Sequence, residues 1–362
     1  LRVAYGNPGN NSQSYDTYLT YSYSTDHQNI FGLGGLLKSF GNSELDWQKT
    51  RDLTIGADLS FLKRRLSLTL DVYRKVTDPL IISIDVAPST GKDNYITNVG
   101  RNTINGLTFT LNTRIIDNWE KDLHWNISLN GYHEKSKFSK IGDKLEKFNK
   151  EMRSTSLARY RDGYSSSDIW TVPSAGIDPL TGKEIFIRKD GTYSFSYDQN
   201  DEVVCGNSAP DVEGTVGTSL NWKGFSFNAY FRYSLGGDYF NNELFQRIEN
   251  IGSQTDAYNQ DKRAYYDRWK KPGDHAKYRD IKDYNSGHKS SRYIQKQNFF
   301  SGESISMGYR FYGAEWLKKA GLENVSVNAT LNEIFRWSTV KAERGTQYPF
   351  ARTISISLNA SF

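Results

Sequence analysis

The chain has 362 residues, 46 Lys and Arg against 41 Asp and Glu, and a mean hydropathy of −0.68. No stretch approaches the ~18 consecutive apolar residues of a membrane-spanning helix, which excludes a helical membrane protein but not a barrel whose strands are apolar on one side only. Aromatic residues are 14%, too many for a disordered chain, and the single cysteine, Cys205, excludes an internal disulfide framework and a cysteine-based zinc site.

The net charge of +5 is spread along the chain. Its densest basic runs, Lys63-Arg64-Arg65 and Lys270-Lys271, are short. A nucleic-acid partner needs a clustered basic face, and none is expected.

The first element, Leu1 to Tyr5, begins inside a strand and meets the turn cluster Gly6-Asn7-Pro8-Gly9-Asn10. There is neither an initiator Met nor a signal peptide, so the reading is the later part of a longer protein. Period-two alternation then recurs to the C-terminus. Leu53, Ile55, Ala57, Leu59 and Phe61 alternate with Thr54, Gly56, Asp58 and Ser60. Leu66, Leu68, Leu70 and Val72 alternate with Ser67, Thr69, Asp71 and Tyr73. Similar patterns run from Leu107 to Asn112, Leu123 to Asn130, Phe225 to Tyr233, Val325 to Asn332 and Ile354 to Phe362.

These patterns predict about ten strands, at 1–5, 48–61, 64–81, 102–117, 121–138, 210–222, 224–238, 292–311, 322–338 and 351–362. Most are far longer than the ~5–6 residues of an average soluble strand. Their connections alternate in length. Phe61–Arg64, Asp117–Lys121 and Lys223–Gly224 are tight, and Phe311–Gly321 holds at most one helical turn. Long segments lie between them, at roughly 6–47, 82–101, 139–209, 239–291 and 339–350. A soluble sandwich has no reason to sort its loops this way. An outer-membrane barrel does, with short periplasmic turns and long extracellular loops. Trp119, Trp125, Trp222, Phe225, Phe311 and Trp316 fall near the short turns, where an aromatic girdle belongs.

Thr353 to Phe362 alternate without a break and end on an aromatic residue, like the assembly signal of outer-membrane barrels. Several landmarks resemble the C-terminal barrel of the SusC/RagA-type TonB-dependent transporters, in the family's order. They are Gly41-Asn42-Ser43-Glu44-Leu45-Asp46-Trp47, Asp71-Val72-Tyr73-Arg74-Lys75-Val76-Thr77-Asp78 and Asn98-Val99-Gly100-Arg101-Asn102 with Asn105-Gly106. Next come Ala175-Gly176-Ile177-Asp178-Pro179 with Thr181-Gly182, Arg268-Trp269 with Pro272-Gly273-Asp274, and Ser291-Arg292-Tyr293. Asn332-Glu333-Ile334-Phe335 and Tyr348-Pro349 with Arg352 complete the set. Two departures affect the rim. Lys341-Ala342-Glu343 stands where the family often has Asp-Pro-Glu, and Gln295-Lys296-Gln297-Asn298 replaces a small, acidic turn.

The resemblance implies an all-β fold, a transmembrane antiparallel β-barrel of about 22 strands. Residues 1–362 would be about its last ten strands, with the plug and TonB-contacting segment preceding Leu1. It also implies the outer membrane of a gram-negative bacterium, surrounding lipid, a SusD-like surface lipoprotein and the TonB complex as partners, and an oligosaccharide or peptide as cargo. No cofactor and no chemistry on the cargo are expected. The alternatives are an outer-membrane barrel hydrolase with its site in the loops, or a soluble carbohydrate-binding sandwich.

Asp58, Asp71, Arg114 and Arg232 project to the polar side of their strands, which in a barrel is the lumen. Trp170, Tyr239, Phe240, Tyr265, Tyr266, Arg268 and Trp269 are the candidates for contact with ligand or lid, and Phe362 for the assembly signal. Tyr258, Lys262, Tyr265 and Trp269 have helical spacing, with Thr255 or Asp256 as cap and Pro272-Gly273 as stop. His27, His124, His133, His275 and His288 lack metal-ligand spacing. Asp190, Asp198, Asp201 and Glu202 lack the order of a calcium loop, and Gly32-Leu33-Gly34-Gly35 that of a nucleotide fingerprint.

Overall fold

The computed structural model describes residues 1–10, 18–85, 94–251, 260–283, 287–341 and 352–362. Ten strands form one sheet in chain order, and all but the first are nine residues or longer. They are β1 Arg2–Gly6, β2 Gln48–Phe61, β3 Leu66–Thr77, β4 Arg101–Asn118, β5 Leu123–Ser139, β6 Val212–Trp222, β7 Phe225–Leu235, β8 Phe299–Tyr312, β9 Asn324–Ser338 and β10 Thr353–Ser361. Gly9–Asn10 adds a short pairing on β2. Eight of the ten expected strands match apart from their ends, and two are shorter than the alternation implied.

β3 stops at Thr77 rather than residue 81. Pro79 has no N–H to give a ladder, and the chain leaves the sheet to start a separate hairpin, Ile81–Asp85 with Asn94–Asn98. The strand expected over 292–311 starts at Phe299. Ser291–Tyr293 is a 3-10 turn, and Ile294–Lys296 pairs with Asp238–Phe240 instead. Asn298 makes the break: its side chain accepts from the Gly236 N–H at 2.7 Å, and its own N–H donates to Thr339 Oγ1 at 2.8 Å. The segment 6–47 carries a hairpin of its own, Thr20–Asn29 with Gly32–Ser39.

The described residues divide into two compact units, and β2 to β5 contribute to both. The first unit comprises Leu1–Gly56, Val72–Gly106 and Glu134–Asp168. Its core is Ile82, Val99, Phe138, Ile141 and Leu145. Two landmarks meet there, because the Asp46 N–H donates to Asn98 Oδ1 at 2.7 Å while Asn98 Nδ2 donates to the Asp46 carbonyl at 3.0 Å. Asp78 draws Arg101 and Lys140 together, with Arg101 Nε at 2.9 Å and Lys140 Nζ at 3.3 Å.

The second unit comprises Ala57–Asp71, Leu107–His133 and Ile169–Phe362. The register there carries rows of like residues across the strands. Trp125, Leu220, Phe227, Met307, Ala329 and Ile356 form one row, and Ile127, Thr218, Ala229, Ile305, Leu331 and Ile354 another. The rows between are polar, such as Asn126, Ser219, Asn228, Ser306, Thr330 and Ser355. A bulge in β8 at Glu303 and one in β9 near Glu333 keep this alternation in step on both sides of the irregularity.

The short connections are built as the strands require. Lys223 and Gly224 both have positive φ, the pair of conformations that a two-residue hairpin needs to follow strand twist. A Cβ on Gly224 would lie 2.6 Å from the Arg310 carbonyl oxygen, so glycine is required there. The turn after β8 holds the expected helical turn, Glu315–Lys319, and Gly321 follows it with φ 70°.

Candidate functional site

The second unit has its core off the sheet. Val327, Met307, Leu358, Ile356 and Ile354 on the strands are exposed, the last three by about 70% or more. Trp170, Val172, Phe186, Leu244, Ile248, Trp269, Tyr278 and Tyr293, in the long segments, are buried. A soluble monomer does not expose apolar rows on this scale, because patches beyond a few hundred Å² associate or aggregate. Lipid is the solvent in which such a face costs nothing, and the opposite polar face then belongs to the lumen.

Aromatic side chains mark both ends of this apolar face. At the short-turn end stand Trp119, Trp222, Phe311 and Trp316, all exposed. At the loop end, Phe231, Phe300, Phe335 and Trp337 form a connected cluster with ring centroids 4.5–6.2 Å apart. From Phe300 to Tyr309 the strand rises roughly 30 Å at ~3.3 Å per residue. At a tilt of ~40° that is roughly 23 Å across the membrane, the height of an apolar band between two girdles. Within the second girdle, Phe300 lies beyond the Glu303 bulge, so alternation from Ile305 and Met307 puts it on the apolar face only after one residue is skipped.

Within the second unit, the loop segments 169–211 and 238–298 fold against one another around a buried ion cluster. Glu249 and Glu184 are almost wholly enclosed. Glu249 accepts from Arg279 Nε at 2.6 Å and from Arg292 Nη1 at 3.0 Å. Glu184 accepts from Arg292 Nη2 at 2.9 Å and from the Ser290 hydroxyl at 2.5 Å. Arg279 also reaches Asp283 at 2.9 Å. Burial alone would raise the Glu249 carboxyl, but Arg292 and Arg279 outweigh it and hold the group below the ordinary glutamate value. Tyr293 closes the cluster against Phe240 and Phe245, and burial pushes its phenol up.

The landmark peptides turn out to be the joints of this body. Asp178 folds back to accept from the Leu180 and Thr181 N–H groups and the Thr181 hydroxyl, and the last of these bonds leads in holding its carboxyl below the usual range. That turn presents the Pro179 carbonyl, which accepts from Trp269 Nε1 at 2.8 Å and from the Gly273 N–H at 2.9 Å. Gly182 has φ 70°, and a Cβ there would fall 2.6 Å from the Trp269 ring.

The seven candidate contact residues separate by exposure. Trp170, Arg268 and Trp269 are buried. Arg268 spends its guanidinium on the carbonyls of Ala264, Arg279, Glu249 and Ile248, which hold the loop body together. Direct contact with ligand or lid does not suit these three. Phe240 is half-buried against the core. Tyr239, Tyr265 and Tyr266 are exposed, and Lys270 Nζ lies 3.9 Å from the Tyr265 ring centroid. The expected helix is only Arg263–Tyr266, opened from Lys262 with no side-chain cap. Thr255, Asp256 and Tyr258 lie outside the described residues, as do Tyr348 and Pro349.

Asp58 and Thr69 share one side of the sheet, with Thr69 Oγ1 donating to Asp58 at 3.0 Å. Arg232 falls in the polar row of Thr215 and Ser301, and Arg114 lines a polar cavity. Asp71 sits half-buried on β3. Asp190, Asp198 and Asp201 act as turn acceptors, bonding Thr192, Asn200 and the Lys189 N–H. Glu184, Glu249 and Ser290 were not singled out from the sequence, since partners up to 108 positions apart leave no periodic trace.

The exposed apolar face, the two girdles and the polar inner face define the wall of an outer-membrane β-barrel. A family model for the β-barrel of TonB-dependent receptor-like proteins matches residues 1–171. Among curated proteins, TonB-dependent receptor P39 of Formosa agariphila is 23% identical over 423 aligned positions, covering all of this chain and 40% of that protein. TonB-dependent receptor SusC of Bacteroides thetaiotaomicron is 24% identical, covering 82% of this chain and 28% of that protein. The chain thus spans two fifths or less of the length of these relatives. The RagAB peptide importer in its open-open state superposes with a TM-score of 0.80 at 20% identity, over 99% of this chain and 40% of that one. The chain is similar to the TonB-dependent receptor barrels of the SusC and RagAB kind, and its place is the outer membrane of a gram-negative bacterium.

Proposed function

We propose that the chain supplies the closing part of the wall, about ten of some 22 strands, of a transporter that imports solutes across the outer membrane at the expense of TonB. The observation that carries this reading is the sheet with an apolar outer face and a polar inner face, crowned by a loop body with its own core. Such a wall moves a solute without altering it. The plug and the TonB contact belong to parts of the protein outside residues 1–362. The cargo is an oligosaccharide or a peptide, captured under a SusD-like lipoprotein lid.

In this reading the exposed tyrosines Tyr239, Tyr265 and Tyr266 meet lid or ligand, Tyr being a frequent binding hot spot. Trp170, Arg268 and Trp269 serve the contact indirectly, by fixing the body that carries it. Asp58, Asp71, Arg114 and Arg232 line the lumen.

The test is deletion of 241–286 in the full-length protein. It removes Glu249, Arg268 and Arg279 while touching none of β1 to β10, so folded barrel should still reach the membrane. Co-purification of a lid protein and uptake of the native cargo should both be lost. Wild-type uptake with a bound lid would end the assignment of the loops.

A further inference from the structure

The run Lys63-Arg64-Arg65 forms the tight turn between β2 and β3. Leu62, Lys63 and Arg64 have φ of 53°, 55° and 66°, three consecutive non-glycine residues in the left-handed region. Side chains are disfavoured there, and such backbone persists where surrounding structure or function holds it. Neighbouring residues in a strand point to opposite faces. In this turn Arg64 and Arg65 line the same cavity. The Arg114 N–H donates to the Arg65 carbonyl at 2.8 Å, tying the turn to β4.

The cavity measures about 370 Å³ on the polar side of the sheet. Arg64, Arg65 and Arg114 line it, with Asn112, Asn126 and Ser219 among the polar groups between them. No carboxylate lines it. Arg114 lies 3.7 Å from Asp117, and that carboxylate is also held by His124 at 2.8 Å. Arg64 and Arg65 have no ion-pair partner among the described residues. Gly217 keeps the wall open, since a Cβ there would come 2.6 Å from Ser128 Oγ.

We propose that Arg64, Arg65 and Arg114 form an oxyanion-binding site on the inner wall, which takes carboxylate groups carried by the imported solute. The proposal rests on the import reading and narrows the cargo to acidic molecules. Guanidinium forks bind carboxylates through two parallel N–H···O bonds, and the amides of Asn112 and Asn126 and the hydroxyl of Ser219 add neutral donors. Three cations facing one recess with no acid in its lining create a positive potential that low-dielectric walls focus.

The experiment is calorimetric titration of the full-length protein in detergent. Two acidic probes, trigalacturonate and triglutamate, are each compared with a neutral counterpart, the trimethyl ester and triglutamine. At least one acid should bind roughly tenfold tighter than its neutral form, and the preference should shrink with salt. In R64Q/R65Q/R114Q it should fall to within about twofold, whereas R64K/R65K/R114K should retain part of it. The two probe pairs distinguish a sugar acid from a peptide acid. Resistance of the folded band to heat in gel shifts confirms that each variant forms a barrel. Equal binding of acid and neutral forms by the wild type overturns the proposal. So does an acid preference that survives in the glutamine variant, and so does its loss in the lysine variant to the same degree. Uptake by cells addresses import separately: cells lacking the protein that still take up the cargo at the wild-type rate would end that reading and leave the binding result standing.

Discussion

The strands β6 to β10 and the loop body at 169–211 and 238–298 draw on the same residue types and pack them in opposite directions. On the strands Leu358, Ile356 and Val327 point outward into what must be lipid, and Ser357, Ser355 and Asn328 point to the other face. In the loop body Val172, Ile248 and Tyr293 are inside, around charges that are themselves enclosed. The difference follows from solvent. In lipid an exposed leucine is at no disadvantage, so strand stability rests on complete backbone pairing. In water the loop body must hide its apolar groups, and its buried carboxylates must be paired.

This contrast can be broken most severely inside the loop body. Glu249→Ala leaves Arg279 and Arg292 without their shared acid and should cost about 3–5 kcal/mol, the penalty of an uncompensated buried charge. Limited proteolysis should then cut the loops while the wall strands stay protected. The same acid sets a pH dependence. Its carboxyl is held below the ordinary value of 4.5 in the folded state, so its contribution is fully present above that value. It is lost as pH falls through the lowered value, and protease resistance of the loops should fall on acidification before that of the barrel.

The wall is next. Leu358→Arg should cost about 2–4 kcal/mol if the residue lies near the bilayer midplane, whereas Ser357→Arg, one residue away on the polar face, should cost far less. Folding yields into liposomes measure both. Gly224→Ala should cost about 1–2 kcal/mol, because a left-handed residue gains a Cβ against the Arg310 carbonyl; urea titration of the refolded full-length barrel gives the value. The smallest effect on stability is expected for Phe362→Ala. It should lower the amount of barrel assembled in cells while leaving synthesis and the melting of the assembled fraction nearly unchanged.

Much of the wall was legible because alternation has a period of two and runs along whole strands such as β7, Phe225–Leu235. The tight turns were legible through Lys223-Gly224. The loop body was not. Its strands are two to five residues long, for example Tyr193–Ser194, Glu184–Ile187 and Val203–Asn207, too short for a periodic signal. Its binding candidates were chosen as aromatics and arginines, and residue type cannot tell Trp269, locked under Gly182, from Tyr266, which is open to water. What did carry over was the order of the landmarks. Asp178-Pro179 and Trp269 belong to separate landmarks in the sequence and are bonded to each other in the fold.

Which face of the sheet meets lipid can be measured directly. Single cysteines at Leu70, Phe109, Phe227 and Val327, and at Thr69, Asn112, Asn228 and Asn328, can be placed in the full-length protein with Cys205 replaced by serine. Reconstituted in bilayers and treated with a membrane-dissolved thiol reagent, the first four should label and the second four should not. Equal labelling of the two sets, or labelling of the polar set alone, would contradict a barrel wall with its apolar face in the membrane.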